Sequence, residues 1–367
     1  MKEFSLLKAL TPGDLESCNS SDSFLQSGFW GSFKARFGWN ARPFLAEWNV
    51  SDAEGGAAAA SRPLLVIRRR LAPFVSFAYI PWGPELPEGL SAEARGKALE
   101  ELAGALKNYL PIDTVFARFD PPWFIEAPGE GGSPPSFLKA GADVQPPDTV
   151  IIDLNRTNEA ILTGMKPKWR YNARLALKKG VRIKQANEGG LEDFYALLKE
   201  TSRRDGIAIH DMSYYKTLFF HCREYQRRGT DKSPASSRPD LRLYLATHGG
   251  DALAGIVTLF RGRRATYLYG ASSDKKRNFM AAYALQLNAM EEAKRAGCLS
   301  YDLFGIPPDS NPNHPMAGLY QFKTGFGGKI VHRPGSWDYP YRSLLYRLFR
   351  AAETFRKKRR DAKKRKQ

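Results

Sequence analysis

LRLYLATHGGDALAGIVTLFRGRRATYLYGAS, Leu241 to Ser272, reads as three strands in a row. LRLYLAT, ALAGIVTLF and ATYLYGAS are rich in β-branched and aromatic residues, and the GGD at Gly249–Asp251 supplies the tight turn between the first two. The pattern predicts an antiparallel meander. A helix over about Met280 to Ala296 and a further strand, SYDLFGI (Ser300–Ile306), follow it.

The first half repeats this order more loosely. PLLVIRRR (Pro63–Arg70), FVSFAYIPWG (Phe74–Gly83), a helix over about Ala92–Tyr109 and the strand TVFARFDPP (Thr114–Pro122) come in the same succession. We therefore expect an α+β fold built by structural duplication. Each copy, a mixed sheet flanked by helices, would be a GCN5-like (GNAT) acyltransferase subdomain. The expected limits are 1–150 and 151–330, with 331–367 as a C-terminal helix packing back on the first subdomain and a basic tail. Both copies end a strand in proline, RFDPP at Arg118–Pro122 and FGIPP at Phe304–Pro308. Ligands bind near such strand ends in open α/β sheets.

Between the copies, TGMKPKWRYNARLALKKGV (Thr163–Val181) predicts a helix closed by Gly180. Arg170, Arg174 and Lys178 share one of its faces. Trp169 and Tyr171 lie among the cations, a mixture suited to phosphate together with base or sugar, although a solvated helix would carry the same charges.

Over 367 residues, 56 Lys and Arg stand against 38 Asp and Glu, a net charge of +18. A polyanionic partner is expected, whether RNA, a sugar-nucleotide diphosphate or an anionic membrane. Part of the excess lies in RKKRRDAKKRK (Arg356–Lys366), after a segment that reads as an amphipathic helix. Such a tail suits a lipid surface or RNA, or serves solubility alone. Two small-residue stretches, Asp52–Ser61 and Gly229–Pro239, read as mobile loops. Cys18, Cys222 and Cys298 are widely spaced, which supports neither a disulfide framework nor a zinc site. No apolar run reaches the length of a membrane span, so a cytoplasmic protein, active at most at the inner face of the membrane, is expected.

The acyl-CoA version of a GCN5-like fold needs a glycine-rich turn whose amides hold the pyrophosphate. Here that turn would be KKRNFMA (Lys275–Ala281), without glycine, and in the first copy WGPELPEG (Trp82–Gly89), whose prolines remove donors. Coenzyme A is not the expected donor. There is no G-x-S-x-G, no P-loop and no H-E-x-x-H, and the five histidines are scattered, so no cofactor or metal is expected either.

Five segments together carry a resemblance. FLQSGFWGSFKARFGW (Phe24–Trp39), MKPKWRYNARLALKKGV (Met165–Val181), ETSRRDGIAIHDMSYY (Glu200–Tyr215), LYGASS (Leu268–Ser273) and GLYQFKTGFGGK (Gly318–Lys329) resemble, in order, the motifs of the FemABX family. That family comprises tRNA-dependent aminoacyltransferases of the peptidoglycan interpeptide bridge. No long helical arm is found, as in the family's armless type.

The resemblance implies an aminoacyl-tRNA donor of the Gly, Ala or Ser class and a muropeptide acceptor, UDP-linked or lipid-linked; a monomer is expected. It places Lys323 at the reaction centre with Phe322 beside it, and Gly325, Gly327 and Gly328 would permit close backbone approach. Lys34, Arg204, Tyr214 and Tyr269 become candidates for acceptor contacts. His210 stands where the family often has arginine, which would make phosphate affinity depend on pH near about 6.5. Asp120, at a strand end, is a candidate base or ammonium site. Arg204 and Asp205 can equally form a structural ion pair, and Asp302 can be a capped or buried carboxylate. Two other readings stay open: a GNAT-like N-acyltransferase with a different amine acceptor, and a non-catalytic basic RNA-binding protein.

Overall fold

A computed structural model describes residues 6–51, 57–128, 134–228 and 238–364. The chain divides into two compact units, Met1–Pro147 with His332–Gln367, and Asp148–Val331.

The first unit begins with β1 (Leu7–Pro12), α1 (Gly28–Ala35), β2 (Asn40–Ser51), β3 (Ala57–Ala72), β4 (Val75–Ile80), α2 (Ala92–Leu106), β5 (Thr114–Phe119) and β6 (Leu138–Lys139). Alternation along β3 sends Leu64 and Val66 to one face and Leu65 and Ile67 to the other. The first pair packs on Ala98, Leu99, Leu102, Ala103 and Leu106, the helical-period stripe of α2. Serine hydroxyls cap the helices: Ser27 accepts from Trp30 N at 3.3 Å, and Ser91 from Ala94 N at 3.1 Å.

The second unit holds β7 (Thr149–Asp153), α3 (Asn158–Gly164), α4 (Pro167–Lys178), β8 (Arg182–Gln185), α5 (Leu191–Asp205), α6 (Met212–Arg227), β9 (Asp240–His248), β10 (Asp251–Arg261), β11 (Arg264–Ser272), α7 (Ala281–Arg295), β12 (Ser300–Asp302), α8 (Ala317–Thr324) and β13 (Lys329–Val331). One face of its sheet, with Tyr244, Ala246, Ala254 and Ile256, packs on Leu285, Ala289 and Ala293 of α7. On the other face α5 comes so close that a Cβ at Gly255 would sit 2.7 Å from Phe194.

The chain then returns to the first unit as β14 (Trp337–Pro340) and α9 (Ser343–Lys364). Strand order is β1-β2-β3-β4-β5-β14-β6 in the first unit and β13-β7-β12-β11-β10-β9-β8 in the second. In both, an antiparallel meander (β2–β4, β9–β11) leads through a helix (α2, α7) to a strand parallel to the last of the meander, β5 on β4 and β12 on β11. That shared order is the α+β duplication that the sequence pattern predicts. An antiparallel neighbour completes each, β14 beside β5 and β7 beside β12.

Two expectations need correction. Of the stretch Asp52–Ser61, residues 52–56 lie outside the described residues, but Ala57–Ser61 is strand, paired with Glu47–Ser51, because small residues extend the ladder without disturbing it. The stretch Gly229–Pro239 lies outside them but for its last two residues. The basic tail continues α9 to Lys364, as lysine and arginine are good helix formers.

β14 is held by a buried ion pair. Arg118 on β5 donates to both carboxylate oxygens of Asp338 at 2.7 and 2.8 Å, and Tyr346 of α9 donates to the same carboxylate at 3.0 Å. Asp338→Ala removes both short bonds of Arg118 and leaves its buried charge only the Glu353 carboxylate at 3.6 Å, which should lower unfolding free energy by about 3 kcal/mol, measurable by urea denaturation, whereas the paired change Arg118→Met with Asp338→Leu should recover most of the loss.

Candidate active site

The two copies differ where their central strands meet. In the second unit β11 and β12 pair over only three positions, Arg264↔Ser300 to Thr266↔Asp302. Beyond Asp302 the chain stays with β7: Leu303 N donates to Val150 O at 2.9 Å and Ile306 N to Asp148 O at 2.9 Å, while β11 runs on to Ser272. The sheet therefore opens between β11 and residues 303–306. In the first unit β4 and β5 remain paired to Ile80↔Phe119, and Asp120 N bonds Ile80 O at 3.0 Å beyond that. No comparable opening forms there.

Lys323 fills the opening. It projects from α8, is buried, and its Nζ donates to the carbonyls of Phe304 and, at 2.8 Å, of Gly305. Phe304 and Gly305 have φ of 52° and 32°, a left-handed turn that aims both carbonyls at the amine. Asp302 holds this turn by accepting from Phe304 N at 2.8 Å and from Thr149 Oγ1 at 2.5 Å. The Tyr267 ring of β11 lies 5.1 Å from Nζ. Burial lowers the Lys323 pKa to about 7, opposed by the nearby Asp302 charge. An amine so placed changes protonation state near neutrality, which suits it to stabilise developing negative charge or to pass a proton.

Phe322 is part of the packing that fixes α8. Its ring lies 5.2 Å from that of Tyr283 and 5.1 Å from that of Phe326, and its carbonyl accepts from Trp169 Nε1 at 2.8 Å. The glycines after it serve the protein's own close packing. A Cβ would lie 2.1 Å from Trp169 at Gly325, 2.0 Å from the Gly164 carbonyl at Gly327 and 2.6 Å from the Ile151 carbonyl at Gly328. Of the cations on α4 and at its two caps, Arg170 bonds the Thr163 and Met165 carbonyls and Lys179 the Asn278 carbonyl, whereas Lys166, Lys168, Arg174 and Lys178 are exposed.

In the same unit His210, just ahead of α6, forms one aromatic cluster with Tyr214 and Tyr215 of α6 and Tyr269 of β11. His210 stacks on Tyr214 at 3.8 Å between centroids, and the Tyr269 hydroxyl reaches that of Tyr214 at 3.4 Å. Burial raises the pKa of both tyrosines, keeping them neutral donors. Arg204 is bound within the protein itself. Its five N–H donors go to Asp205, Asp274, the Ser272 carbonyl and the Ser272 hydroxyl. It has the structural role, tying α5 to the end of β11, and no donor remains for a phosphate.

In the first unit, Lys34 of α1 lies 5.5 Å from the centroids of both Trp30 and Trp39. Burial, then repulsion from Arg69, lowers its pKa to about 8. Asp120 is not an accessible base. It is buried, and the Tyr79 and Ser336 hydroxyls donate one to each of its oxygens. Burial raises its pKa to about 6 despite those bonds, with Asp143 adding to the rise.

Sequence reading missed Tyr267 and the Phe304–Gly305 carbonyls. The only hint was FGIPP at the strand end, since a backbone turn in a left-handed conformation leaves no side-chain signature beyond its glycine. Among the described residues no group of three or more His, Cys, Asp or Glu is placed to hold a metal, and no helix is long and apolar enough to cross a membrane.

A sequence model of the FemAB family matches residues 136–227 and 234–354. Among curated proteins the chain is 26% identical over 335 residues to a lipid II:glycine glycyltransferase of Staphylococcus haemolyticus (strain JCSC1435), covering 72% of this chain and 80% of the relative. The protein of the same name from Staphylococcus epidermidis (strain ATCC 12228 / FDA PCI 1200) is 24% identical, with the same coverage. Among solved structures a crystal structure of FemX superposes with a TM-score of 0.69 at 20% identity, covering 91% of this chain and 96% of that one, which is likeness of fold.

The depressed Lys323 pKa fixes a sign. Between about 7 and the ordinary lysine value of 10.5 the unfolded chain binds the proton that the folded chain has released, so Lys323 makes stability rise with pH across that window. Relative to Lys323→Met, the wild type should gain stability in urea titrations as pH increases from 7 to 10; a pH-independent difference would contradict the assignment.

Proposed function

The chain belongs to the FemAB family and is an aminoacyltransferase; from that premise we propose that it transfers an amino acid of the Gly, Ala or Ser class from aminoacyl-tRNA to the stem-peptide amine of a peptidoglycan precursor. The relatives' name, lipid II:glycine glycyltransferase, supports glycine and a lipid-linked acceptor over a UDP-linked one. The observation that carries the reading is the buried amine of Lys323 in the opening between β11 and the chain after β12.

In the proposed reaction the acceptor amine attacks the ester carbonyl of the aminoacyl-tRNA. A C–N bond forms, the ester C–O bond breaks, and the proton lost by the amine goes to the departing tRNA hydroxyl. Because the donor is already an activated ester, the protein's task is orientation and charge stabilisation. Lys323, held by two carbonyls in a site screened from water, is the group for the oxyanion or for the tRNA 3′ end. The exposed Lys166, which caps α4, and Lys168, Arg174 and Lys178 on it suit the tRNA backbone. The neutral hydroxyls of Tyr214 and Tyr269, with His210, suit hydrogen bonds to the acceptor, and Lys34 remains a candidate for its diphosphate.

The test is single-turnover transfer of labelled amino acid from a mixed aminoacyl-tRNA pool to lipid II and, separately, to UDP-MurNAc-pentapeptide, with product mass as readout. Wild type should form product with lipid II, and Lys323→Ala should be slower by about 10²-fold or more. Full activity in the variant would remove Lys323 from the reaction centre, and absence of product with either acceptor would remove the proposed reaction.

A further inference from the structure

The most exposed large apolar side chains of the described residues gather at one end of the first unit. Ile112 is 85% exposed, Phe74 82% and Leu344 72%. Chain connectivity brings them together: Ser76 N bonds Asp113 O at 2.9 Å, joining the Phe74 turn to the loop of Ile112, and Arg342 N bonds Val115 O at 3.1 Å, starting α9 beside them. Phe74 has φ of 59°, a conformation that a bulky residue adopts at a cost, and it spends that strain in holding an aromatic ring in water.

From Leu344 the apolar surface continues along α9. One face of this helix is used by the first unit, with Leu345, Tyr346 and Phe349 packed against Val115 and Phe116. A second, solvent-facing side carries Leu344, Leu348 and Phe355, spaced to form one stripe, with the last two each 61% exposed. Exposed Arg347, Arg356, Lys358 and Arg359 flank that stripe, and the Arg359 guanidinium lies 5.8 Å from the Phe355 ring. Glu353 lies on the buried side, beside Arg118 and Arg350.

We propose that this end of the first unit, Phe74 and Ile112 with the exposed stripe of α9, docks on the surface of an anionic lipid bilayer. Leucine and phenylalanine flanked by arginine and lysine match an interface in which the apolar groups enter the acyl boundary and the cations meet lipid phosphates. RNA would engage the cations and leave the leucines in water, so the apolar stripe favours the bilayer. Docking stands apart from the transfer reaction, because neither precursor nor tRNA takes part in it.

The test is sedimentation of the full chain with vesicles of phosphatidylglycerol and phosphatidylcholine in equal parts, against phosphatidylcholine alone. Wild type should bind the anionic vesicles selectively and retain part of that binding in high salt. Phe74→Asn/Ile112→Asn and Leu344→Gln/Leu348→Gln/Phe355→Gln should each weaken binding by roughly tenfold or more, with thermal midpoints at or above wild type, since the changed side chains are exposed. Wild-type affinity in both variants, equal binding to neutral vesicles, or binding of a mixed tRNA pool but of no vesicle would overturn the proposal.

Discussion

Much of the second unit is arranged around one buried amine. A lysine with no carboxylate bonded to it can be kept inside a protein only if its hydrogen-bond donors are satisfied and its charge is allowed to leave. Lys323 meets both conditions: two carbonyls in a left-handed turn accept from it, and its pKa falls to about 7. The turn in turn depends on Asp302, and Asp302 on Thr149 of β7. α8 is held in place from outside by the Trp169–Phe322 bond and by three glycines that allow the chain to pass close to α3, α4 and β7.

The duplication explains why such a site exists in one copy. Both units place a meander, a helix and a parallel strand in the same order, but the first zips its parallel strands together and closes the end with the Asp120 network. The second leaves its parallel pair after three residues, and the lysine occupies the gap. A common topology thus yields a rigid copy and an open one. A carboxylate at the end of the closed pair becomes structural, although its position in the sequence matches that of the opened strand end.

The meander, its helix and the following strand were legible because alternation and turn chemistry are local properties, and the copy in the first half was legible for the same reason. The outer end of the β2–β3 hairpin was not, since the alanine run before PLLVIRRR has no strand signature of its own and becomes strand only by pairing with Glu47–Ser51. At the site, the FemABX resemblance pointed to Lys323 and Phe322, but not to what surrounds them. Arg204 shows the limit most clearly: an arginine beside an aspartate in a family motif reads equally as ligand or ion pair, and only the positions of Asp274 and Ser272, some seventy residues away, decide it. The burial of Asp120 was hidden on the same ground, because Ser336 reaches it from the far end of the chain.

The central claim is that the buried amine of Lys323 meets the acyl donor. The most direct measurement is NMR of the protein with ¹³C-labelled lysine, following the Lys323 side-chain resonance as a non-hydrolysable analogue of the aminoacylated tRNA 3′ end is added. The account predicts that this resonance shifts on binding and that its titration midpoint moves up from near 7 as the donor's charge reaches it. Shifts confined to the exposed lysines of α4 and α9, with Lys323 unmoved, would contradict it.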